Sequence, residues 1–436
     1  MARSTAGVGL DGRPRWGLGW SGPRIAAASV LLAGVALMGV PAAHASGRAS
    51  PYTVLTVAVG GGTKPAAVAV DEATDTIYTA NAGSNSVSVI DGATNTVTAT
   101  VNVGSDPEGV AVDEATDTIY DTNRSADTVS VIDGATNNVT TTVTVGSGPQ
   151  SVAVDDATDT IYDTNRGSDT VSVIDGATKT VTATIAVGSD PFGVAVDKAT
   201  DTIYVTNILS QTVSVIDGAT NTVTASVAVG RAPKAVAVDD NTDTIYAANY
   251  HSQTVSVIDG ATNSVTATVD VGTSPSGVAV DETTDTIYTS AAETVSVIKG
   301  ATNAVTATVT VGGDGYWVAV DETTDTIYVT ASPSDSVSVI IPSTAKVSPT
   351  SGPAATSVTV SGRGFNPGET VNITYKTGLA SPKSVTLCTT RAHSDTSYSC
   401  SATIPPTATA GASGAHKILA KGATSHIKVK TTFTLT

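Results

Sequence analysis

The chain has 436 residues and a formal net charge of −17, and only 14% of its residues are charged and 4% aromatic. This length suits two or three domains, and the abundance of Val, Thr, Ala and Gly favours strands and tight turns over helices. Because residues 52–344 carry −28 and residues 345–436 carry +7, the acidic body excludes nucleic acid as its main partner, while the basic tail can meet an anionic surface.

Residues 1–45 are predicted to be a signal peptide. Four arginines precede an uncharged run of 16 residues from Ile25 to Val40, and Ala43–Ala45 gives a small-x-small cleavage site. The run is shorter than the roughly 20 residues that a membrane-spanning helix needs, which favours cleavage over an uncleaved anchor. No second stretch of that length follows. We therefore expect no membrane span after signal removal, and a protein that is secreted or associated with the cell envelope.

An eleven-residue stretch, VAVDEATDTIY, dominates the body of the chain. It begins at Val68 and returns with small changes at Val110, Val152, Val194, Val236, Val278 and Val318. Each unit contains four predicted strands, which in the second unit are Gly109–Asp113, Asp117–Asn123, Thr128–Asp133 and Asn138–Gly146. A spacing of 42 residues, shortened once to 40, indicates a propeller built from short strands.

The two ends of the repeat region complete each other. The seventh unit stops after its third strand, Ser336–Ile340, whereas Tyr52–Gly60 aligns with a fourth strand and precedes the first unit. The sequence therefore predicts an all-β fold in which residues 52–344 form a seven-bladed β-propeller closed by the N-terminal strand. Closure of this kind removes the open sheet edges that invite aggregation.

The repeat resembles a known family. TIYVTN at Thr202–Asn207, followed by TVSVIDGATNTVTASVAVG at Thr212–Gly230, is similar to the YVTN type of β-propeller repeat of secreted and surface-layer proteins in prokaryotes. The resemblance covers about residues 52–341, although two repeats contain YDTN instead, at Tyr120–Asn123 and Tyr162–Asn165. It implies an exported, often surface-associated, seven-bladed protein, and it implies no single activity.

Residues 345–436 are predicted to form a small antiparallel β-sandwich. Val and Thr alternate between Gly and Pro turns in this segment, as in immunoglobulin-like domains. The run Lys346–Tyr375 resembles the IPT/TIG domains found as stalks on extracellular proteins. The only two cysteines, Cys388 and Cys400, lie here, and in a small exported domain we expect them to form a disulfide.

The recurring acidic turns, DEATD at Asp71–Asp75 and DGATN at Asp91–Asn95, raise the question of calcium. Neither run matches an EF-hand, and Asp, Gly and Asn are also the residues that set turn geometry. We therefore expect no metal site and no cofactor.

An enzyme of the lactonase or lyase type is the alternative to a binding protein. Propellers of that type use carboxylates, often with histidine, around the central channel. Residues 52–344 contain one histidine and no cysteine, which leaves Glu108, Asp121, Asp163 and His251 as candidates. Because a pair of catalytic histidines is not available, we assign no catalytic residue and favour a non-enzymatic function.

The residues that differ between repeats mark the candidate binding face. The turns DEATD and DGATN share one face of the predicted disc, and the variable loops share the other, where binding residues usually lie on a rigid scaffold. We predict that one exposed apolar patch and a notch beside the shortened sixth repeat bind a protein or glycan at the cell envelope, and that the protein is a monomer. The candidate residues are Phe192, Ile208, Leu209, Tyr250, His251, Tyr316 and Trp317. The alternative is that the aromatic side chains plug the channel mouth.

Overall fold

The computed structural model describes residues 50–436, so the predicted signal peptide at residues 1–45 lies outside the described residues. Almost all of the regular structure is β-strand, and the exceptions are two 3-10 turns and one short helix, α1 (Thr407–Ala410). No helix within residues 50–436 is long and apolar enough to cross a membrane.

Residues 52–342 form seven four-stranded antiparallel sheets, which we call sheets I to VII. Sheet I contains β2 (Pro65–Asp71), β3 (Thr76–Asn81), β4 (Ser86–Asp91) and β5 (Thr96–Asn102). Sheet II contains β6 (Pro107–Asp113), β7 (Thr118–Asn123), β8 (Thr128–Asp133) and β9 (Asn138–Thr144). Sheet III contains β10 (Pro149–Asp155), β11 (Thr160–Asn165), β12 (Thr170–Asp175) and β13 (Thr180–Ala186).

The remaining four sheets have the same order. Sheet IV contains β14 (Pro191–Asp197), β15 (Thr202–Asn207), β16 (Thr212–Asp217) and β17 (Thr222–Ala228). Sheet V contains β18 (Pro233–Asp239), β19 (Thr244–Asn249), β20 (Thr254–Asp259) and β21 (Ser264–Asp270). Sheet VI contains β22 (Pro275–Asp281), β23 (Thr286–Ala291), β24 (Thr294–Lys299) and β25 (Ala304–Thr310), with a 3-10 turn at Gly300–Thr302. Sheet VII contains β26 (Gly315–Asp321), β27 (Thr326–Ala331), β28 (Ser336–Pro342) and β1 (Tyr52–Ala58), with a 3-10 turn at Ser332–Ser334.

The hydrophobic core of this region lies between neighbouring sheets. One cluster, for example, joins Tyr120 and Val129 of sheet II to Val152 and Ile161 of sheet III. The seven tyrosines that recur once per repeat are exposed by 0% to 4% only. The innermost strands β2, β6, β10, β14, β18, β22 and β26 contact one another in that order, and β26 contacts β2. The chain therefore has a β-propeller-like repeat fold.

The recurring acidic residues have structural roles in the turns. Asp75 and Asn95 adopt left-handed backbone conformations with φ of 52° and 55°, which Asp and Asn tolerate better than most residues. The Asp91 carboxylate accepts hydrogen bonds from the backbone N–H and the hydroxyl of Thr94, at 2.7 and 2.6 Å. A Cβ at Gly92 would lie 1.8 Å from Oδ1 of Asp75, so only glycine fits there. Turn geometry thus accounts for the repetition of DEATD and DGATN.

The N-terminal strand pairs with the last strand of the repeat region. β1 runs antiparallel to β28, and Val57 pairs with Val337 across about 280 residues of sequence. Val57 is 5% exposed and belongs to a core cluster shared by sheets VII and I. The hydroxyl of Thr53, in the same strand, donates a hydrogen bond of 2.8 Å to the carbonyl of Gly364 in the C-terminal region. β1 thus contacts both the last strand of the repeat region and the C-terminal region.

Residues 346–435 form two further sheets. One contains β29 (Lys346–Ser348), β31 (Ser357–Gly362) and β34 (Tyr398–Thr403), and the other contains β30 (Ser351–Gly352), β36 (Lys428–Leu435), β35 (Gly414–Gly422), β32 (Thr370–Lys376) and β33 (Ser384–Arg391). The two sheets share one hydrophobic core. The predicted disulfide between Cys388 and Cys400 is confirmed, with a Cα–Cα distance of 6.5 Å. Because it joins β33 to β34, it links the two sheets covalently.

We predict that Val57→Asp destabilises the whole repeat region. The substitution places an unpaired carboxylate in the core where β1 joins β28, and such burial costs several kcal/mol. Thr56→Asp is the matched control, because Thr56 is exposed in the same strand and surface substitutions usually change stability by less than about 0.5 kcal/mol. Thermal unfolding followed by circular dichroism should show a large loss in melting temperature for Val57→Asp alone. Equal melting temperatures for the two variants would contradict the described role of β1.

Candidate functional site

One end of the ring of innermost strands carries residues that differ from sheet to sheet. We call the second residue of each innermost strand a mouth residue, because the seven strands are in contact and begin at the same end. The mouth residues, from sheet I to sheet VII, are Ala66, Glu108, Gln150, Phe192, Lys234, Ser276 and Tyr316. Side chains of different chemistry are therefore gathered on a frame that is otherwise nearly identical in every sheet.

Lys234 lies at the centre of an aromatic group. Its Nζ is 3.9 Å from the ring centroid of Tyr250, 5.2 Å from that of Tyr316 and 5.7 Å from that of Phe192. A cation at these distances from ring faces is attracted by their quadrupoles. Of the five ion pairs within residues 50–436, none includes Lys234. Its ammonium is therefore balanced by rings and not by a carboxylate.

The environment of Lys234 changes its proton affinity. Burial, followed by the nearby positive charge of Arg166, lowers the pKa of Lys234 to about 8, although the carboxylate of Glu108 opposes both effects. Partial desolvation destabilises the charged form of the side chain, because no carboxylate of residues 50–436 lies at contact distance to stabilise it. A negatively charged group placed in its vicinity would restore the charged form.

Two arginines at the same end of the strands, Arg124 and Arg166, each form an ion pair. The Arg166 guanidinium forms an ion pair with Asp190, in which Nη2 and Oδ2 are 3.1 Å apart. The Arg124 Nη1 lies 3.5 Å from Glu108 Oε1, and the side-chain amide of Gln150 donates to Glu108 Oε2 at 3.2 Å. Burial, followed by the charge of Asp106, raises the pKa of Glu108. In contrast to Arg124 and Arg166, Lys234 forms no ion pair within residues 50–436.

Phe192 and Trp317 fill the centre of the ring. Phe192 is 3% exposed, and its ring centroid lies 6.5 Å from that of Trp317. Trp317 packs against core clusters of sheets V and VI, of sheets VII and I, and of sheets I and II, which only a central side chain can do. The predicted exposure of Phe192 in an apolar patch is therefore wrong, because the convergence of the innermost strands buries the ring. Phe192 and Trp317 act as packing residues beneath Lys234 and Tyr316.

The other candidate residues lie apart from this group or at its edge. Leu209 is 69% exposed and lies with Ile208 in the turn between β15 and β16, where both backbone N–H groups donate to the preceding loop. His251 is exposed, and its ring meets that of Tyr250 edge-on at 5.1 Å. The structure thus brings Phe192, Tyr250, Tyr316 and Trp317 together around Lys234.

A cavity of about 440 Å³ opens beside Lys234. It lies next to Ala292, in the turn of sheet VI that is two residues shorter than its counterparts, where the sequence predicted a notch. Its lining comprises Lys234, Tyr250, Ser274, Ser276, Ala292, Asp314, Gly315, Tyr316, Ser332 and Pro333. Four other cavities, of about 200 to 330 Å³, lie between neighbouring sheets near the acidic turns, and most of their lining residues recur from repeat to repeat. The cavity beside Lys234 is lined by residues outside the repeat pattern.

The cavity combines groups that suit a small polar ligand with an anionic group. Tyr250 and Tyr316 offer apolar ring surface, the serines and Asp314 can exchange hydrogen bonds with hydroxyl groups, and Lys234 offers a positive charge. Within residues 50–436, no group of three or more His, Cys, Asp or Glu side chains has the arrangement to hold a metal ion.

Lys234, Ser276 and Asp314 line this cavity but are not among the residues that the sequence predicts for the binding face. The sequence showed that Lys234 and Ser276 occupy a variable position, but the prediction relied on aromatic and exposed apolar residues. A basic residue at a variable loop position in a segment of charge −28 was the signal that could have identified Lys234.

Asp121 and Asp163, candidates for the enzyme alternative, are buried inside sheets II and III. Both are 0% exposed, and neither carboxylate has a hydrogen-bond partner. Desolvation raises the pKa of both well above the ordinary value for aspartate, so burial favours their neutral form. They do not contact the cavity beside Lys234.

The equivalent position in sheet I shows which hydrogen-bond acceptor is available to a side chain that can donate. Thr79 occupies that position and donates a hydrogen bond of 3.2 Å to Oδ1 of Asn81. The corresponding Oδ1 atoms of Asn123 and Asn165 have no partner, so a protonated Asp121 or Asp163 has an equivalent acceptor two residues away. Both aspartates are therefore enclosed within their sheets and do not line the cavity beside Lys234.

Comparison with known proteins gives the fold and no activity. No protein-family model matches the chain, and no curated protein matches it. Among solved structures, the chain is similar to hydrazine synthase of Kuenenia stuttgartiensis, with a TM-score of 0.59 and 18% sequence identity, over 64% of this chain and 96% of that chain. At this identity, the similarity supports the propeller-like repeat fold alone.

We predict that replacing both buried aspartates with threonine, Asp121→Thr with Asp163→Thr, stabilises the protein more at pH 8 than at pH 5. In the unfolded chain an aspartate ionises above about pH 4, whereas burial raises the pKa of both aspartates in the folded chain, so the wild-type protein loses stability as the pH rises above about 4. The gain at pH 8 should be at least about 1 kcal/mol larger than at pH 5. Val205→Thr, at the same register in sheet IV, is the control, and its effect should not depend on pH. A gain that is equal at the two pH values would refute the assignment.

Proposed function

We propose that the protein is an exported, non-enzymatic binding protein of the cell envelope, and that its ligand or partner binds on the variable loop face. The cavity beside Lys234 is the observation on which the proposal rests. It is concave, it combines aromatic and polar groups as small-molecule sites do, and its lining residues are those that the repeat does not dictate.

We also propose the finer architecture. The seven sheets would be the seven blades of a closed propeller of the YVTN type over residues 52–344, and residues 345–436 would be an IPT/TIG-like sandwich. The contact of β26 with β2 and the pairing of β1 with β28 support closure. The core shared by the two C-terminal sheets supports a separate second domain.

The ligand of the cavity carries an anionic group in this proposal. Lys234 is the basic group at the cavity wall, and it has no carboxylate partner among the ion pairs of residues 50–436. A carboxylate that approaches it would gain a charge-assisted hydrogen bond, while Tyr250 and Tyr316 would cover apolar parts of the ligand. A saccharide with a carboxylate has this combination of groups.

Export is supported by two independent features. The arrangement of arginines, apolar run and small residues in residues 1–45 is typical of a secretory signal. The disulfide between Cys388 and Cys400 is a bond that persists in oxidising compartments.

We expect the mature protein to bind at least one carboxylate-bearing saccharide or soluble peptidoglycan fragment from a panel that also contains neutral saccharides. For that compound, Lys234→Gln should weaken binding at least tenfold, equivalent to about 1.4 kcal/mol, as measured by isothermal titration calorimetry. Binding should also weaken as the pH rises above about 8, the pKa of Lys234, because the neutral amine no longer attracts an anion. Arg166, Glu108, Tyr250 and Tyr316 are the other titratable groups around it, and Asp314 lines the same cavity.

Leu209→Ser is the matched control, since Leu209 is exposed on the loop face and does not line the cavity. It should leave binding unchanged. If the wild-type protein bound no member of the panel, or if Lys234→Gln bound as tightly as the wild type, the proposed function of the cavity would be incorrect.

A further inference from the structure

The five-stranded C-terminal sheet has a strongly basic outer face. Six exposed basic side chains lie on strands β32, β33, β35 and β36, and we call this set the basic face. Its members are Lys376, Arg391, Lys417, Lys421, Lys428 and Lys430. They are six of the nine Lys and Arg residues that follow residue 344. The positive charge of this region is therefore concentrated on one surface.

The strand register places these side chains on the same side. Lys421 pairs with Lys428, and Leu419 pairs with Lys430, across β35 and β36. Directly paired residues point to the same face, and so do residues two apart in a strand, which adds Lys417. The opposite side of β35 carries Ile418 and Ala420, both fully buried in the core.

The neighbouring strands extend the same face. Asn372 of β32 pairs with Lys421 on one side and with Thr389 of β33 on the other. Lys376 and Arg391 have the same orientation, because Lys376 lies four residues after Asn372 and Arg391 pairs with Thr370. The face thus continues over four adjacent strands.

No acidic residue balances this charge. The five strands of the sheet contain no Asp or Glu, and none of the ion pairs within residues 50–436 includes a member of the basic face. The two acidic residues after position 344 are used elsewhere. Glu369 accepts hydrogen bonds from the backbone of Asn366, Thr424 and Ser425, and Asp395 accepts from Ser397.

The arrangement costs stability in the free protein. Like charges directly opposite each other on paired strands are destabilising, and Lys421 and Lys428 are such a pair. Lys417 has a neutral partner, the hydroxyl of Thr432 at 2.6 Å, and Arg391 has the carbonyl of Gly368 at 3.4 Å. A bound polyanion would relieve this repulsion, because it places negative charge between the cations.

We infer that the basic face binds an anionic polymer of the cell envelope whose repeating units carry carboxylates or phosphates. Charge complementarity is the basis of the assignment, since the face presents cations and hydroxyl groups over four strands. The apolar part is limited to Leu419, which is half-buried, and the small side chain of Ala415. The face carries no aromatic residue on β32, β33, β35 or β36, and stacking of bases or insertion into a bilayer would require such groups.

This inference does not depend on the cavity beside Lys234. The basic face lies on a different sheet, and its ligand would be recognised by repeated charge and not by a shaped cavity. Binding of the polymer by the C-terminal sheet would retain the protein at the envelope. The variable loop face of the propeller would remain free to bind a second ligand. Failure of either proposal leaves the other open to its own test.

The test compares two triple variants of the mature protein that have the same net charge. The variant of the basic face combines Lys421→Gln, Lys428→Gln and Lys430→Gln. The control variant replaces three lysines outside the basic face and combines Lys64→Gln, Lys346→Gln and Lys383→Gln. Binding to sodium polygalacturonate and to inorganic polyphosphate is measured at several salt concentrations by biolayer interferometry. The two polymers distinguish carboxylate from phosphate recognition. Melting temperatures verify that both variants are folded.

We expect the wild-type protein and the control variant to bind at least one of the two polymers, with affinity that falls as salt screens the charges. The variant of the basic face should bind at least about tenfold more weakly. Equal binding by the two variants, or no binding of either polymer by the wild type at low salt, would overturn the inference. Tighter binding to oligothymidylate, or to vesicles of equal amounts of phosphatidylcholine and phosphatidylglycerol, would also overturn it in favour of nucleic acid or membrane.

Discussion

The packing of one four-stranded sheet against the next is the constraint on which the rest of the structure depends. A single repeat has apolar residues on both faces of its inner strands, so it is stable only when two neighbours cover it. Clusters such as that of Tyr162, Val171, Val194 and Ile203 join one sheet to the next, and the same positions are apolar in every repeat. The last sheet takes its fourth strand from the other end of the repeat region, because β1 pairs with β28. The contact of Thr53 with Gly364 then connects this strand to the C-terminal region.

This constraint also determines where function can reside. Residues that pack between sheets or set the turns cannot vary without loss of the frame, whereas the mouth residues begin the innermost strands and are free to differ. Sheet V presents Lys234 there and sheet VII presents Tyr316. The short turn of sheet VI leaves room beside them. A half-buried ammonium among aromatic rings is a costly arrangement, and a rigid ring can hold it in place.

The strands, the turns, the pairing of β1 and the disulfide could be predicted because they depend on local patterns that the chain repeats or on two unique cysteines. The predicted strands Thr128–Asp133 and Asn138–Gly146 agree with the observed ones to within two residues. Whether the side chains at the centre are buried or exposed could not be predicted, because their exposure depends on how closely the seven innermost strands approach one another. Phe192 is buried and Leu209 exposed, although both are apolar loop-face residues in the sequence. The isolation of Lys234 from acidic partners, and the shared face of Lys421 and Lys428, became visible only from three-dimensional distances and strand register.

The proton affinity of Lys234 tests the central claim of this account, which is that a non-repeat lysine without a countercharge is held among aromatic rings at the mouth. The measurement is a pH titration of the lysine side-chain resonances by NMR on the free protein, with Lys234→Gln used to assign the signal. The account predicts that Lys234 titrates near a pKa of about 8, well below the ordinary value for a lysine side chain. A value close to 10.4, as for an exposed lysine, would contradict it, because the ammonium would then be solvated or paired and the cavity would lack the uncompensated charge that the proposed site requires.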